Sequence, residues 1–192
     1  MTGGYTGKIL RVNLTSKTIG TIDTSKYEDF GGAHGIGAAI FFDLVGDQLP
    51  FDAFDPRNVV TVMTSPFSGT YVPGSGRCEV LGLAPMYYPI EWFSHSNWGG
   101  RFTAQLKYAG WDGIVIEGAS GEPVWINIIN DKVKIEKADG GLWGMDTADA
   151  QEEICRRVIP SAKYGEWAEV DNGYSTQVPA VACIGLAGEN KS

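Results

Sequence analysis

Cysteine and histidine are scarce in this chain, with three of the former and two of the latter in 192 residues. Cys78, Cys155 and Cys183 are odd in number, far apart and never arranged as C-x-x-C, and His34 and His95 are the only imidazoles. That spacing argues against a zinc or iron–sulfur site built within the chain. Cys155 falls on the apolar face of a helical pattern and Cys183 inside the apolar run 178–184, which predicts buried structural thiols. Basic charge is also short: 15 Lys and Arg against 23 Asp and Glu leave a formal net charge of −8. No basic stripe interleaved with aromatics offsets it, so nucleic acid is excluded as a partner. No apolar run reaches the roughly 18 residues of a membrane helix. The opening residues lack the basic-then-apolar order of a secretory signal, and the expectation is a cytoplasmic protein that does not bind membranes.

What is present is enough for one substantial core, with 43% hydrophobic and 20% charged residues. The organising stretch is 95–118. Ser96-Asn97-Trp98-Gly99-Gly100 reads as a polar turn, followed by about ten residues of helical pattern with Phe102, Leu106 and Ala109 on one face. Gly110 stops the helix, and a short apolar strand follows. A helix start behind two glycines offers unpaired N–H groups and close backbone approach, which suits an anion such as phosphate.

Before that stretch, 8–13 and 19–22 alternate as a β-hairpin, 38–45 is dense enough in apolar residues for a mostly buried helix, and 59–64 is a strand. The glycines at 31–37 miss the G-x-G-x-x-G register and follow a polar segment, so they are not a dinucleotide fingerprint. Residues 65–77 are too rich in Gly, Pro and Ser for a regular element; loops of that length inside a domain are commonly functional. Arg77 closes the loop, placed for bidentate contact with phosphate or carboxylate, and leads into an apolar run at 78–83. After it, 124–129 and 132–136 flank Asn130-Asp131 as a second hairpin. Asp146-Thr147 caps a helix through about Val158, its Glu-Glu and Arg-Arg pairs on the solvated side. Residues 160–177 read as a surface excursion, 178–184 as a buried strand, and 185–190 as a glycine-rich turn. Strand-like segments outnumber helices, which predicts an α+β fold with two face-to-face sheets.

Several segments in this order resemble the N-terminal domain of the tungsten-containing aldehyde ferredoxin oxidoreductase family. They are 3–15, the glycines of 31–37, Gly74-Ser75-Gly76-Arg77, Ser96-Asn97-Trp98-Gly99-Gly100, 106–112 and 184–190. The resemblance implies two stacked mixed β-sheets with outer helices, carrying one face of a tungsten bis-pyranopterin (molybdopterin-type) cofactor across residues 1–192. It implies that Arg77 contacts the cofactor, and that Asn97 and Ala187 lend backbone carbonyls to a magnesium ion bridging the pterin phosphates. Trp98, Gly99, Gly100, Leu186, Gly188 and Glu189 are implied to lie nearby. Oxygen donors and phosphates suit magnesium, which is hard and keeps much of its water.

The resemblance further implies an oxidoreductase that converts an aldehyde to its carboxylate and passes electrons to ferredoxin or another iron–sulfur carrier. The four-iron cluster and acid–base groups would lie in later domains, the assembly would be oligomeric, and the isolated chain would be inactive. The alternative is a non-catalytic binding or assembly module that keeps the fold. Against the family's usual pattern, 86–93 is longer and more aromatic, and His95 has no matching catalytic role, which leaves it as a turn or packing residue.

Overall fold

The computed structural model describes residues 3–87, 89–159, 168–170, 173–175 and 179–191. The chain divides into two compact units, Met1–Glu136 and Lys137–Ser192.

The first unit is built on a six-stranded mixed sheet. Its strands are β1 (Lys8–Asn13), β2 (Thr18–Asp23), β3 (Val59–Thr64), β4 (Cys78–Ala84), β5 (Trp92–Trp98) and β6 (Gly113–Glu117), in the order β2-β1-β6-β3-β4-β5. β1 and β6 run parallel and every other neighbour pair is antiparallel. Because side chains alternate across a strand, each strand feeds two faces. Ile9, Val59, Met63, Leu83 and Val115 point to one side, where α1 (Gly32–Val45) lays Ile36, Ile40 and Phe41 on them. Helix and sheet meet closely at Gly37, where a Cβ would stand 2.6 Å from Leu81 Cδ1. The helix is less buried than its apolar density predicts: Phe42 is 49% exposed, and its ring packs edge-on against Phe41 and obliquely against Phe93.

Leu10, Val12, Val62, Cys78 and Ile114 form the opposite face. It is covered by Leu106 and Trp111, at and after α2 (Phe102–Tyr108), and by the inner residues Ile126, Ile128, Val133 and Ile135 of the hairpin β7 (Val124–Ile129) and β8 (Lys132–Lys137). The expected pair of stacked sheets is thus a mixed sheet of six strands against an antiparallel hairpin, with helices outside. The hairpin turns at Asn130 in the left-handed region, φ 54°, the conformation that a two-residue primed turn demands.

The second unit holds α3 (Thr147–Val158), whose Asp146 cap accepts from the N–H groups of Ala148 and Asp149, and α4 (Gly185–Glu189). Asp149 near the N-terminus and Arg156 and Arg157 in the last turn complement the α3 dipole. A short antiparallel pair, β9 (Ala168–Val170) with β10 (Gly173–Ser175), occupies part of the stretch expected to be irregular. The rest of 160–178 lies outside the described residues, as does Tyr88. Three expectations fail here. Residues 179–184 form no strand, and Cys183 is exposed rather than buried. The following segment is α4 rather than an open turn, entered through Gly185 at φ +65°.

Candidate functional site

The 96–100 segment is not the helix-opening turn its composition predicts. Ser96, Asn97 and Trp98 are the last residues of β5, and only Gly99 and Gly100 remain for the turn. α2 begins at Phe102 and is seven residues long, with no side-chain cap. The polar run Ser-His-Ser-Asn is drawn into the ladder by β4, whose residues 78–84 pair in register with 92–98. β5 is the outer strand, so half its backbone and one face stay in solvent, and polar residues are tolerated there.

That strand assignment decides what the site contains. Arg77 ends the 65–77 loop just before β4, and Asn97 on β5 faces Glu79 across the ladder. The Arg77 guanidinium donates from Nη1 to Asn97 Oδ1. The side-chain oxygen of Asn97 thus accepts from Arg77, and its backbone lies in the β4–β5 ladder opposite Glu79. The loop carrying Arg77 is held by hydroxyls rather than by a ladder, as expected. Ser68 Oγ donates to the Ser75 carbonyl at 2.9 Å and accepts from Ser65 N–H at 3.2 Å, and Tyr108 donates to the Gly69 carbonyl at 2.9 Å.

The glycines form a cradle beside the Arg77–Asn97 pair. A Cβ at Gly74, Gly99 or Gly100 would meet nothing within 4 Å, while one at Gly76 would stand 3.3 Å from the Gly100 carbonyl. The two glycine turns are thus close to each other and open in front. Gly100 has φ +109°, which favours glycine. A guanidinium beside uncluttered glycine backbone fits a phosphate-bearing group. Trp98 departs from the expected grouping: its side chain lies in the apolar cluster of the opposite face, with its ring 5.5 Å from Phe102. Only its backbone can border the cradle.

Leu186, Ala187, Gly188 and Glu189 belong to the second unit, on α4. Leu186 is exposed. The Ala187 carbonyl accepts from Asn190 N–H at 3.2 Å. Glu189 Oε2 accepts from Gly144 N–H at 2.8 Å, so its carboxylate ties α4 to the 140–144 loop.

The buried ion pair of Asp112 and Lys107 in the first unit is structural. Asp112 accepts from Thr6 N–H (2.9 and 3.1 Å), Gly7 N–H (2.9 Å), Thr24 Oγ1 (2.7 Å) and the Lys107 ammonium, which also donates to the Gly4 carbonyl (2.6 Å). Burial alone raises the Asp112 pKa, but the hydrogen bonds from Lys107, Thr6 and Thr24 outweigh it and hold the group below its ordinary value. This cluster explains the 3–7 and 106–112 motifs as one lock between the N-terminal loop and the α2–β6 connection.

Sequence reasoning missed Glu79 and the meeting of His34 with His95. His95 is neither in a turn nor packed in the core; it is exposed on β5, its ring against that of His34. Reading 92–98 as a strand would have placed His95 and Asn97 on one face, with Glu79 on the same face of β4.

With this geometry established, the chain can be set beside known proteins. It belongs to the family described as aldehyde ferredoxin oxidoreductase, N-terminal domain, which matches residues 9–192. It is 34% identical over 98% of its length to the tungsten-containing aldehyde ferredoxin oxidoreductase of Pyrococcus abyssi, and spans 28% of that protein. It is 30% identical over 97% of its length to the WOR-like subunit of an aliphatic sulfonate oxidoreductase from Pyrococcus furiosus, spanning 29% of it. Among solved structures it resembles the active-site complex BamBC of benzoyl coenzyme A reductase, in complex with 1,5-dienoyl-CoA. The TM-score is 0.75 at 31% identity, over 82% of this chain and 24% of that one.

Proposed function

We propose that this chain supplies one face of the binding site for a tungsten bis-pyranopterin cofactor, within a larger oxidoreductase that oxidises aldehydes to carboxylates. The observation that carries the reading is the Arg77–Asn97 pair beside the open Gly74, Gly99 and Gly100 backbone. The cofactor, when bound, supplies the two-electron redox chemistry. Arg77 would neutralise and orient a pterin phosphate, Asn97 keeps the guanidinium aimed, and the Asn97 backbone carbonyl would offer an oxygen ligand to magnesium. The glycines let the ligand reach main-chain groups that any side chain would cover. The family resemblance also gives cofactor contacts to Leu186, Ala187, Gly188 and Glu189, which lie on α4 of the second unit.

The aldehyde as substrate rests on relatives named for that activity, matched over nearly the whole chain. The remaining domains of the enzyme, a four-iron cluster, an iron–sulfur electron acceptor such as ferredoxin, an oligomeric assembly and a cytoplasmic setting belong to the same proposal. Among the described residues no helix is long and apolar enough to cross a membrane. The 192-residue chain by itself is expected to be inactive, because it covers only one side of the cofactor.

The test is Arg77→Ala in the full-length protein. It should lower tungsten and pterin content with the circular dichroism unchanged, and Arg77→Lys should restore occupancy only in part, since lysine keeps the charge but loses the planar fork. Unchanged cofactor content in Arg77→Ala would remove the role given to Arg77.

A further inference from the structure

α1 and the β4–β5 edge bring together three side chains that lie far apart in the sequence. His34 sits in the first turn of α1, Glu79 is on the α1-facing side of β4, and His95 stands on β5 opposite Leu81. One ligand atom from each lies within 4.8 Å of the other two. His34 Nδ1 is 3.8 Å from Glu79 Oε2, and the two imidazoles meet edge to face, their centroids 4.7 Å apart at 87°. That same carboxylate oxygen is shielded from solvent and has no hydrogen-bond partner. A carboxylate oxygen sealed from water without a donor is an unfavourable arrangement that a cation relieves.

We propose that His34, Glu79 and His95 bind a divalent first-row transition metal, zinc foremost, through two imidazole nitrogens and one carboxylate oxygen. The donor set selects the ion. Imidazole favours zinc and its neighbours over magnesium and calcium, which prefer all-oxygen sites. A carboxylate between the two imidazoles favours a cation over a phosphate. Tetrahedral zinc with nitrogen and oxygen ligands needs donor atoms about 3.3 Å apart, so the 3.8 Å His34–Glu79 pair must close by roughly 0.5 Å and no pair by more than roughly 1.5 Å. The two histidines have room for that: His34 is 50% exposed at its side chain, while Glu79, at 22%, is the fixed member. Three protein ligands leave further positions for water. A bound ion ties the start of α1 to the outer strand, two residues from Asn97. The scarcity of histidine and the absence of C-x-x-C concealed this site, because its ligands are assembled by strand register and not by local spacing.

The experiment is equilibrium dialysis of the full-length protein against buffered micromolar zinc, with metal counted by mass spectrometry. Glu79→Gln, His34→Gln and His95→Gln are run beside the wild type. The wild type should take up about one zinc per chain that each variant binds more than about tenfold more weakly. Magnesium at the same concentration should not occupy the site. The variants lie on three different elements and two of the positions are exposed, so a shared loss with unchanged circular dichroism cannot come from one local misfold. Anomalous diffraction at the zinc edge should place a peak between the three side chains. Equal zinc uptake by wild type and variants, or no peak there, overturns the assignment.

Discussion

Replacing Asp112 with alanine should destabilise the 192-residue chain by about 3–5 kcal/mol, the usual consequence of removing one partner of a buried ion pair. The side chains of Asp112 and Lys107 are only 3% and 7% exposed. Alanine at 112 leaves the Thr6 and Gly7 N–H groups, the Thr24 hydroxyl and the Lys107 ammonium without their acceptor. Counting each orphaned donor at about 1–3 kcal/mol would give a larger sum. Lys107 keeps the Gly4 carbonyl, and water can enter where the N-terminal loop loosens, so the ion-pair figure is the better guide. For a chain of this size it corresponds to a fall in Tm of about 6–20 °C. Thermal unfolding followed by circular dichroism measures it. Asp112→Asn with Lys107→Met, which removes both charges, should be more stable than the two single changes predict by addition. The pH dependence has a definite sign. Because the folded-state pKa of Asp112 is depressed, its contribution is complete above the ordinary 3.8 and is lost as pH falls from there through the folded value. The Asp112→Asn chain should lack that part of the acid dependence. A loss below about 1 kcal/mol in Asp112→Ala, or strict additivity in the double variant, would refute the view that this cluster locks the N-terminal loop.

Gly99→Ala should leave stability within about 0.5 kcal/mol of wild type, because a Cβ there meets nothing within 4 Å and the backbone is not left-handed; it should nevertheless lower cofactor content of the full-length protein. Alanine at Gly113 has the opposite profile. Its Cβ would lie 2.3 Å from Met63 Sδ and 2.8 Å from the Val62 carbonyl, so unfolding experiments should show a loss of about 1–3 kcal/mol or more. In native alkylation mapped by mass spectrometry, Cys183 should react while Cys78 and Cys155 are protected. Cys183 is exposed and the other two are buried, and the Cys78 thiol is pushed up to about 12 by burial, with Glu79 adding to the shift.

The parts of the fold that were legible beforehand carry local signals. β1 and β2 alternate, Asn130-Asp131 marks a primed turn, and Asp146 caps an amphipathic helix, and each of these elements lies where its pattern puts it. The misread parts depend on partners distant in sequence. Residues 92–98 carry serine, histidine and asparagine, so composition favours a turn; they are a strand because β4 pairs with them residue for residue. The run 179–184 is apolar enough for a strand but has no ladder partner among the described residues. The site divides in the same way. Arg77 and the glycines were visible as loop chemistry, whereas the pairing of Arg77 with Asn97 and the convergence of His34, Glu79 and His95 depend on register and on how α1 crosses the sheet. Trp98 was grouped with its sequence neighbours, and strand alternation turns its ring to the other face.

The most direct test of the central claim is the tungsten and pterin content of the full-length protein, purified without denaturation and without oxygen. Metal is counted by mass spectrometry, and pterin by fluorescence after oxidative release. The account predicts both, in the proportion of a bis-pyranopterin; a correctly folded protein that contains neither, even after expression with tungstate supplied, would contradict it.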